Sequence, residues 1–392
     1  MSNVTISDSI RYIGADDRDL DLFEGQYVVP NGMAYNSYLI LDEKIAVMDT
    51  ADARVEDIWF SNLERELAGR MPDYLVVSHM EPDHGSLIWK FARKYPDAKI
   101  VGSAKTFELI RQFFLTEIAD ERRVVVKEND SISLGQHTLT FIMAPMVHWP
   151  EVMFSYESGE KVLFAADAFG KFGALDTDED WACEARRYYF NIVGKYGPQV
   201  QAVLKKAAAL DIATICPLHG PILQGELGSY LEKYDIWSSY RPENAGVLVA
   251  YASVHGYTKK AAEKMAEELT KAGCPKVAIT DLCRDDMAEA LEDAFRYDTM
   301  VLASITYNNE MLTQMNTFLH MLKAKAYQKR RVALIENGSW APSAAKSMRS
   351  MLETMKEIEV VDPVITIRSA MTPENERQIR ELAEKLCESY GE

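Results

Sequence analysis

The segment Ser78-His79-Met80-Glu81-Pro82-Asp83-His84 follows the apolar run Tyr74-Leu75-Val76-Val77. Four potential metal ligands, His79, Glu81, Asp83 and His84, therefore leave the end of one strand together. Pro82 and Gly85 keep them off a long helix, because proline starts a helix but cannot continue one and glycine weakens one. The carboxylate at position 81 makes the donor set harder and more anionic than a third histidine would. Such a set suits iron better than zinc, and iron implies redox chemistry rather than hydrolysis.

Working outward, other strand ends carry the same residue types. His148 lies in Met146-Val147-His148-Trp149-Pro150, after a strand ending near Ala144. Asp167 closes Val162-Leu163-Phe164-Ala165-Ala166, and His219 follows the strand ending at Ile215. Ends of neighbouring strands converge on one edge of a sheet, so these residues can meet in space. Four of the seven histidines belong to the set. The count suits two ions: His79, Glu81 and His148 for one, and Asp83, His84 and His219 for the other. Asp167 is the natural bridge, since its two oxygens can be shared between metals about 3.5–4 Å apart. The plainer reading, satisfied loop histidines and solvated acids, holds for a lone histidine and not for the full set. Trp149, Tyr188 and Tyr189 are near ligands in sequence and are candidates for lining the pocket. Ordinary packing is the plainer reading for at least two of them.

The remaining runs of the N-terminal half read as strands at Ser37–Leu41, Ile45–Met48, Tyr74–Ser78, Thr138–Met143, Lys161–Ala166 and Ile212–Ile215. Helices are expected at Val55–Leu67, Ser86–Tyr95 and Ala104–Phe114. Two packed sheets with helices outside is the simplest architecture. A polar stretch, Ser238 to Asn244, then marks a change of rhythm. It sets the domain boundary at 1–243 and 244–392.

The second half alternates apolar strands with amphipathic helices. Strands are expected at Val247–Ala250, Lys276–Ile279, Thr299–Ala303, Val332–Ile335 and Val360–Ile367. Helices are expected at Thr258–Ala272, Met287–Arg296, Met311–Lys323, Ala344–Lys356 and Glu374–Ser389. Five such units make a doubly wound five-stranded parallel sheet of flavodoxin size. Ligands bind such sheets at the carboxyl ends of strands. After the first strand comes Ser253-Val254-His255-Gly256-Tyr257-Thr258, an anion cradle at a helix N-terminus with hydroxyl donors from Ser253 and Thr258. No Gly-x-Gly-x-x-Gly is present, so a single phosphate, as in FMN, fits better than a dinucleotide. The loops after the third and fourth strands are Ser304-Ile305-Thr306-Tyr307-Asn308-Asn309 and Glu336-Asn337-Gly338-Ser339-Trp340-Ala341.

Bulk properties exclude several classes. The net charge of −17 argues against nucleic acid and anionic membrane. Met1–Arg11 lacks a signal-peptide core, and no run reaches the length of a membrane span. The five cysteines are scattered, and no Cys-x-x-Cys occurs. A fused rubredoxin-type module is therefore ruled out, and a reducing, cytoplasmic location is expected.

The pattern His79-x-Glu81-x-Asp83-His84 with His148, Asp167 and His219, joined to a C-terminal flavodoxin-like half, resembles the flavodiiron proteins, also called A-type flavoproteins. The resemblance covers nearly the whole chain. It implies an α/β protein, with an N-terminal metallo-β-lactamase-like αββα sandwich followed by the flavodoxin-like sheet. It implies two non-haem irons on the seven residues named and an FMN on the three loops, including Asn337. In the loops that hold the isoalloxazine, Thr306, Tyr307, Asn308, Gly338, Ser339 and Trp340 would take those contacts. Three departures are visible. The Asp167–His219 interval is short, Val254 stands where the family often has methionine, and the Ser339–Ala341 turn is abbreviated. The implied activity is reduction of dioxygen to water, of nitric oxide to nitrous oxide, or both, with no catalytic residue beyond the metal ligands. No donor domain is attached, so an external carrier such as rubredoxin is required. A metal domain of this size has a radius of gyration near ~18 Å. The resemblance accordingly implies a head-to-tail homodimer, or a tetramer built from it, in which one chain's FMN serves the other's irons. A dizinc hydrolase fused to a flavodoxin-like domain is the alternative, and Glu81 argues against it. A non-catalytic electron carrier with a degenerate metal domain is a third reading, which the intact ligand set opposes.

Overall fold

A computed structural model of the protein describes residues 6–390. Its Cα packing separates two units, Met1–Asp235 and Ile236–Glu392. The division falls eight residues before the 243/244 junction set by the change of rhythm. The intervening residues bond within the second unit. Trp237 Nε1 donates to Glu243 at 2.7 Å, and the buried Arg330 donates to the Tyr240 carbonyl at 2.7 Å.

The first unit is built on two six-stranded sheets, each in sequential order. The first contains β1 (Ile10–Tyr12), β2 (Tyr38–Ile40), β3 (Ala46–Met48), β4 (Tyr74–Val76), β5 (Lys99–Gly102) and β6 (Arg123–Val125). The second contains β7 (Ser131–Ser133), β8 (Thr138–Met143), β9 (Met153–Glu157), β10 (Val162–Phe164), β11 (Thr214–Cys216) and β12 (Leu223–Gln224). The core lies between the sheets. Tyr38, Ile40, Met48 and Val76 of one face Phe141, Met153, Phe164 and Cys216 of the other, and all are buried. Helices α1 (Glu56–Leu67), α2 (Pro82–Gly85), α3 (Ile88–Lys94), α4 (Ala104–Phe114), α5 (Trp181–Tyr188) and α6 (Gly197–Ala207) complete the αββα layering, and α7 (Gly228–Ser238) follows. In α1 the buried residues are Trp59, Leu63 and Leu67, a spacing of four that fixes one face inward.

The second unit orders its parallel strands β14-β13-β15-β16-β17: Val277–Asp281, Asn244–Ala252, Tyr297–Tyr307, Arg330–Asn337 and Ile358–Ile367. This is the 2-1-3-4-5 order of flavodoxin-like sheets, whose switch point lies between β13 and β15. β13 is buried without a break from Val247 to Ala252, as expected for a central strand covered on both faces. Helices α8 (Tyr257–Lys271) and α12 (Pro373–Cys387) share one face, packing Ala261, Met265, Leu269, Ile379, Leu382 and Leu386 on Val249, Val301 and Ile335. Helices α9 (Met287–Arg296), α10 (Thr313–Ala324) and α11 (Ala344–Leu352) pack on the sheet as well. The α12 start is fixed by a capping box between Thr372 and Asn375, with Pro373 in the first turn. Among the described residues no helix is long and apolar enough to cross a membrane.

Two expectations change. The strand expected to end at Ala303 runs on to Tyr307, because Glu310–Met311 turns back and pairs with Thr306–Tyr307. Ser304, Ile305, Thr306 and Tyr307 are thus strand residues, and only Asn308 and Asn309 form the turn, both with positive φ. Asn337 likewise belongs to β16, where it pairs with Ile367.

Candidate metal centre and flavin loops

Five strand ends face one region of the first unit. β3 delivers Asp49, β4 delivers His79 to His84, and β8, β10 and β11 are followed by His148, Asp167 and His219. The helical turn α2 starts at Pro82 and stops after one turn. A Cβ on Gly85 would lie 2.8 Å from the Met80 carbonyl oxygen, so only glycine lets this loop fold back on itself.

All seven expected metal-type residues converge in two groups. In the first, Glu81 Oε2 is 3.3 Å from His79 Nε2 and 3.0 Å from His148 Nε2. In the second, Asp83 Oδ2 is 3.3 Å from both His84 Nε2 and His219 Nε2, and those two nitrogens are 3.0 Å apart. Asp167 lies between the groups. Its Oδ2 is 3.4 Å from His79 Nε2 and 3.2 Å from His148 Nε2. Its Oδ1 is 3.5 Å from His84 Nε2 and 3.8 Å from His219 Nε2. One oxygen per group is the disposition a bridging carboxylate requires.

The chemistry of the donors fits metal. Both Asp83 carboxylate oxygens and Asp167 Oδ1 are buried with no hydrogen-bond partner. Unpartnered buried carboxylate oxygens are costly unless a cation satisfies them. His219 Nδ1 donates to the Ala34 carbonyl at 2.8 Å, and a carbonyl can only accept. That fixes the tautomer and leaves the Nε2 lone pair free for a metal. Burial alone would lower the pKa of His79, and Asp167, Glu151 and Glu81 more than reverse it. His148 behaves alike: burial opposes the proton, but Asp167 and Glu81 push it up to about 9. Asp83 is held well below the usual carboxylate range by His84 and His219, against the effect of burial. The pocket's field thus attracts positive charge.

Three residues the sequence did not single out support the ligands. Glu151 is fully buried, and one of its oxygens accepts from His79 Nδ1 at 2.8 Å and from the Met80 N–H at 2.8 Å. Asp49 accepts the N–H groups of Ser78 at 2.6 Å and His79 at 3.2 Å, and burial raises its carboxyl to about 6 against those bonds. Glu24 is exposed as a residue, yet its carboxyl reaches Glu81. Desolvation and the Glu81 charge raise it to about 7. Among the aromatics, Trp149 lies 5.4 Å from the His79 ring and Tyr188 lies 5.5 Å from the His219 ring. Tyr189 packs on Phe190 and Tyr234 instead. The Tyr188 hydroxyl is buried and unpartnered. Burial raises its pKa, and the negative charges of Asp167, Asp83 and Glu81 raise it further.

In the second unit, the three expected flavin loops leave the carboxyl ends of the adjacent strands β13, β15 and β16. Ser253 Oγ accepts the Gly256 N–H at 3.1 Å and shapes the turn, and Gly256, at φ +85°, occupies the N-cap of α8. Thr258 Oγ1 is buried without a partner in the first turn of α8, a hydroxyl donor at the kind of helix end that binds anions. Val254, His255 and Tyr257 are exposed. Ser304 Oγ accepts the Leu312 N–H, and Ile305 is half-buried. Thr306 Oγ1 accepts the N–H groups of Ser343 and Ala344 and so caps α11, and the Asn337 amide is spent on Ser369. These side chains organise the loops rather than present free groups. Gly338 is buried, a Cβ there would lie 2.9 Å from Pro342 Cα, and Ser339 bonds Ser369. Tyr307 and Trp340 are 52% and 87% exposed, an aromatic surface with nothing packed on it in the unit.

A metal-ligating β-lactamase-like unit joined to a flavodoxin-like unit defines a redox class, that of flavin- and metal-dependent oxidoreductases. Comparison with known proteins agrees. Residues 33–220 match the ODP family beta lactamase and residues 248–366 match a flavodoxin domain. The chain is 29% identical over 395 residues to a nitric oxide reductase of Moorella thermoacetica, covering 98% of each chain. It is 26% identical to the anaerobic nitric oxide reductase flavorubredoxin of Klebsiella pneumoniae, covering 90% of this chain and 75% of the relative. The structure of rubredoxin oxygen:oxidoreductase from Desulfovibrio gigas superposes with a TM-score of 0.92 at 26% identity, over 99% of this chain and 98% of that one. The chain thus joins a metallo-β-lactamase-like ODP domain to a flavodoxin domain, its relatives and structural neighbours are flavodiiron proteins, and it is an oxidoreductase with an FMN-type domain and a histidine–carboxylate cluster suited to two irons.

Proposed function

We propose that this protein reduces dioxygen to water, nitric oxide to nitrous oxide, or both, at a non-haem diiron centre fed by FMN. The observation that carries the reading is Asp167, with one oxygen toward each group of ligands. His79, Glu81 and His148 would hold one iron, and Asp83, His84 and His219 the other. When bound, the iron pair and the flavin together supply four electrons, enough to take dioxygen to two waters. The chain's part is to fix the spacing of the two groups and keep their common face clear of protein ligands. Tyr188 would donate a hydrogen bond to a small molecule held there. Trp149 covers the His79 and His148 rings and limits water on that side.

FMN would seat its phosphate at the α8 N-terminus, on the Ser253–Thr258 turn, with the Thr258 hydroxyl as donor. The ring would lie along Tyr307, Asn308, Asn309, Gly338, Ser339 and Trp340, with Ser304, Ile305, Thr306 and Asn337 holding the strand ends beneath it. Electrons would come from rubredoxin or another reduced carrier, since the named relatives include a rubredoxin oxygen:oxidoreductase and a flavorubredoxin. Two chains would pair head to tail in the cytoplasm, with one chain's FMN serving the other's irons. An active monomer at high dilution would refute that pairing. The main test is anaerobic turnover of the FMN-reduced protein with each gas, following flavin oxidation and product. Flavin that stays reduced with both gases, in protein carrying roughly two irons per chain, refutes the function.

A further inference from the structure

The second unit holds a pair of thiols that the proposed reaction does not use. Cys274 lies in the turn between α8 and β14, and Cys387 is the last residue of α12, 113 positions later in the chain. The packing of α8 against α12 brings them to one place. The Leu269 carbonyl accepts the Cys274 N–H at 3.0 Å and the Cys387 Sγ–H at 3.8 Å. The two residues thus share one carbonyl acceptor, and each thiol influences the other's proton affinity. Cys274 Sγ also donates to the Lys276 carbonyl at 3.0 Å. Both cysteines are reduced. Cys387 is buried and Cys274 half-buried, so a small molecule in solvent reaches one thiol and not the other. Burial raises both thiols, Cys387 to about 12, so oxidation starts from the small thiolate fraction of the more accessible Cys274.

We propose that Cys274 and Cys387 are a reversible disulfide-forming site, oxidised by hydrogen peroxide and reset by a dithiol. The Cys274 sulfur, losing its proton, attacks one peroxide oxygen. The O–O bond breaks, the other oxygen leaves as water after taking that proton, and Cys274 becomes a sulfenic acid. The Cys387 sulfur then attacks the Cys274 sulfur. The S–S bond forms, the S–O bond breaks, and the hydroxyl leaves as a second water with the Cys387 proton. Two thiols are oxidised by two electrons, and one peroxide is reduced to two waters.

The bond would staple α12 to the far end of α8, away from the Ser253–Thr258 turn at its N-terminus. It would close a loop spanning most of the flavin unit, which restrains the unfolded chain strongly. The intact holoprotein is treated with graded hydrogen peroxide, alkylated and mapped by mass spectrometry without reduction. The expected result is one peptide linking Cys274 to Cys387 within a chain, the loss of two alkylatable thiols and a mass lower by about 2 Da. The apparent melting midpoint should rise by roughly 5–10 °C, revert with dithiothreitol, and leave FMN content unchanged. Cys274→Ser should give neither the linked peptide nor the rise. The proposal is overturned if both thiols stay alkylatable after the exposed Cys183 and Cys283 have reacted. It is equally overturned if each is oxidised to a sulfinic acid with no linked peptide, or if the link joins two chains. The peptide map on the unaltered protein decides the question whether or not the serine variant folds.

Discussion

Replacing Glu151 by glutamine should weaken iron binding at the His79 group without unfolding the protein. The side chain touches no metal-type atom of the cluster directly. It accepts His79 Nδ1–H and Met80 N–H on the same oxygen, and both it and His79 are fully buried. Glutamine keeps the volume and the accepting carbonyl oxygen but removes the charge. A hydrogen bond to a charged acceptor contributes about 1.5–3 kcal/mol, and a neutral one about 0.5–1.5 kcal/mol. The difference, on the order of 1–2 kcal/mol, is a loss of ligand basicity at His79 Nε2. Carboxylates behind metal-bound histidines typically account for about 10–100-fold in affinity, or ~1.4–2.7 kcal/mol, which agrees. The assay is anaerobic competition of Fe(II) between the protein and a chelator, with circular dichroism confirming the fold. Glu151→Ala is the control, because it leaves two buried N–H groups unpaired and should cost about 1–3 kcal/mol of stability for each. A folded Glu151→Gln protein with unaltered iron affinity would refute the role assigned to this carboxylate.

Other consequences are direct. Glu81→His should raise the zinc-to-iron ratio of protein grown with both metals, as read by elemental analysis, because a softer nitrogen replaces a hard oxygen. Stripping the metal should lower the melting midpoint of the first unit, since the buried Asp83 and Asp167 oxygens then lose their cation. At free iron about 1,000 times the dissociation constant the difference is about 4 kcal/mol. Gly338→Ala should weaken FMN binding on the order of tenfold, about 1.4 kcal/mol, by forcing its Cβ onto Pro342 Cα, and flavin fluorescence titration measures it.

Legibility differed between the halves for a physical reason. In the second unit each strand of the parallel sheet is five to eleven residues and each α-helix that follows one is nine to fifteen, long enough for periodicity to show. The expected helix Met287–Arg296 coincides with α9. In the first unit most strands are three residues long, as at Ile10–Tyr12 and Arg123–Val125, too short for any alternation to repeat. The six strands expected there therefore understate two six-stranded sheets. The convergence of the seven metal-type residues was legible because histidine and acid stood at strand ends. Glu151 was not, because a buried acid beside an apolar strand looks in sequence like any loop glutamate. Its one signal was its place between His148 and the wholly buried run Met153–Glu157. Glu24 lay between strands of two residues, where no pattern exists to read. The start of the loop Ser304–Asn309 was misplaced because the two-residue strand Glu310–Met311 pairs with Thr306–Tyr307 and extends the preceding strand, which no sequence period reveals.

The two groups proposed to hold iron are alike in donors but not in backing. Each has two imidazoles and one carboxylate of its own, and both share Asp167. Three carboxylates against two ferrous ions leave little net charge in a buried pocket, and they favour the added positive charge of oxidation. The symmetry breaks behind the histidines. His79 leans on a buried carboxylate, whereas His219 leans on the neutral Ala34 carbonyl. A charged acceptor makes the opposite ring nitrogen the stronger donor. The His79 group should therefore bind the first equivalent of iron when iron is limiting. Mössbauer spectra of protein loaded with one equivalent of enriched iron should show one dominant ferrous environment. That dominance should disappear in Glu151→Gln, where both groups are backed by neutral acceptors. Equal occupancy of two environments in the unaltered protein would mean that the shared Asp167, not the backing of the histidines, controls loading.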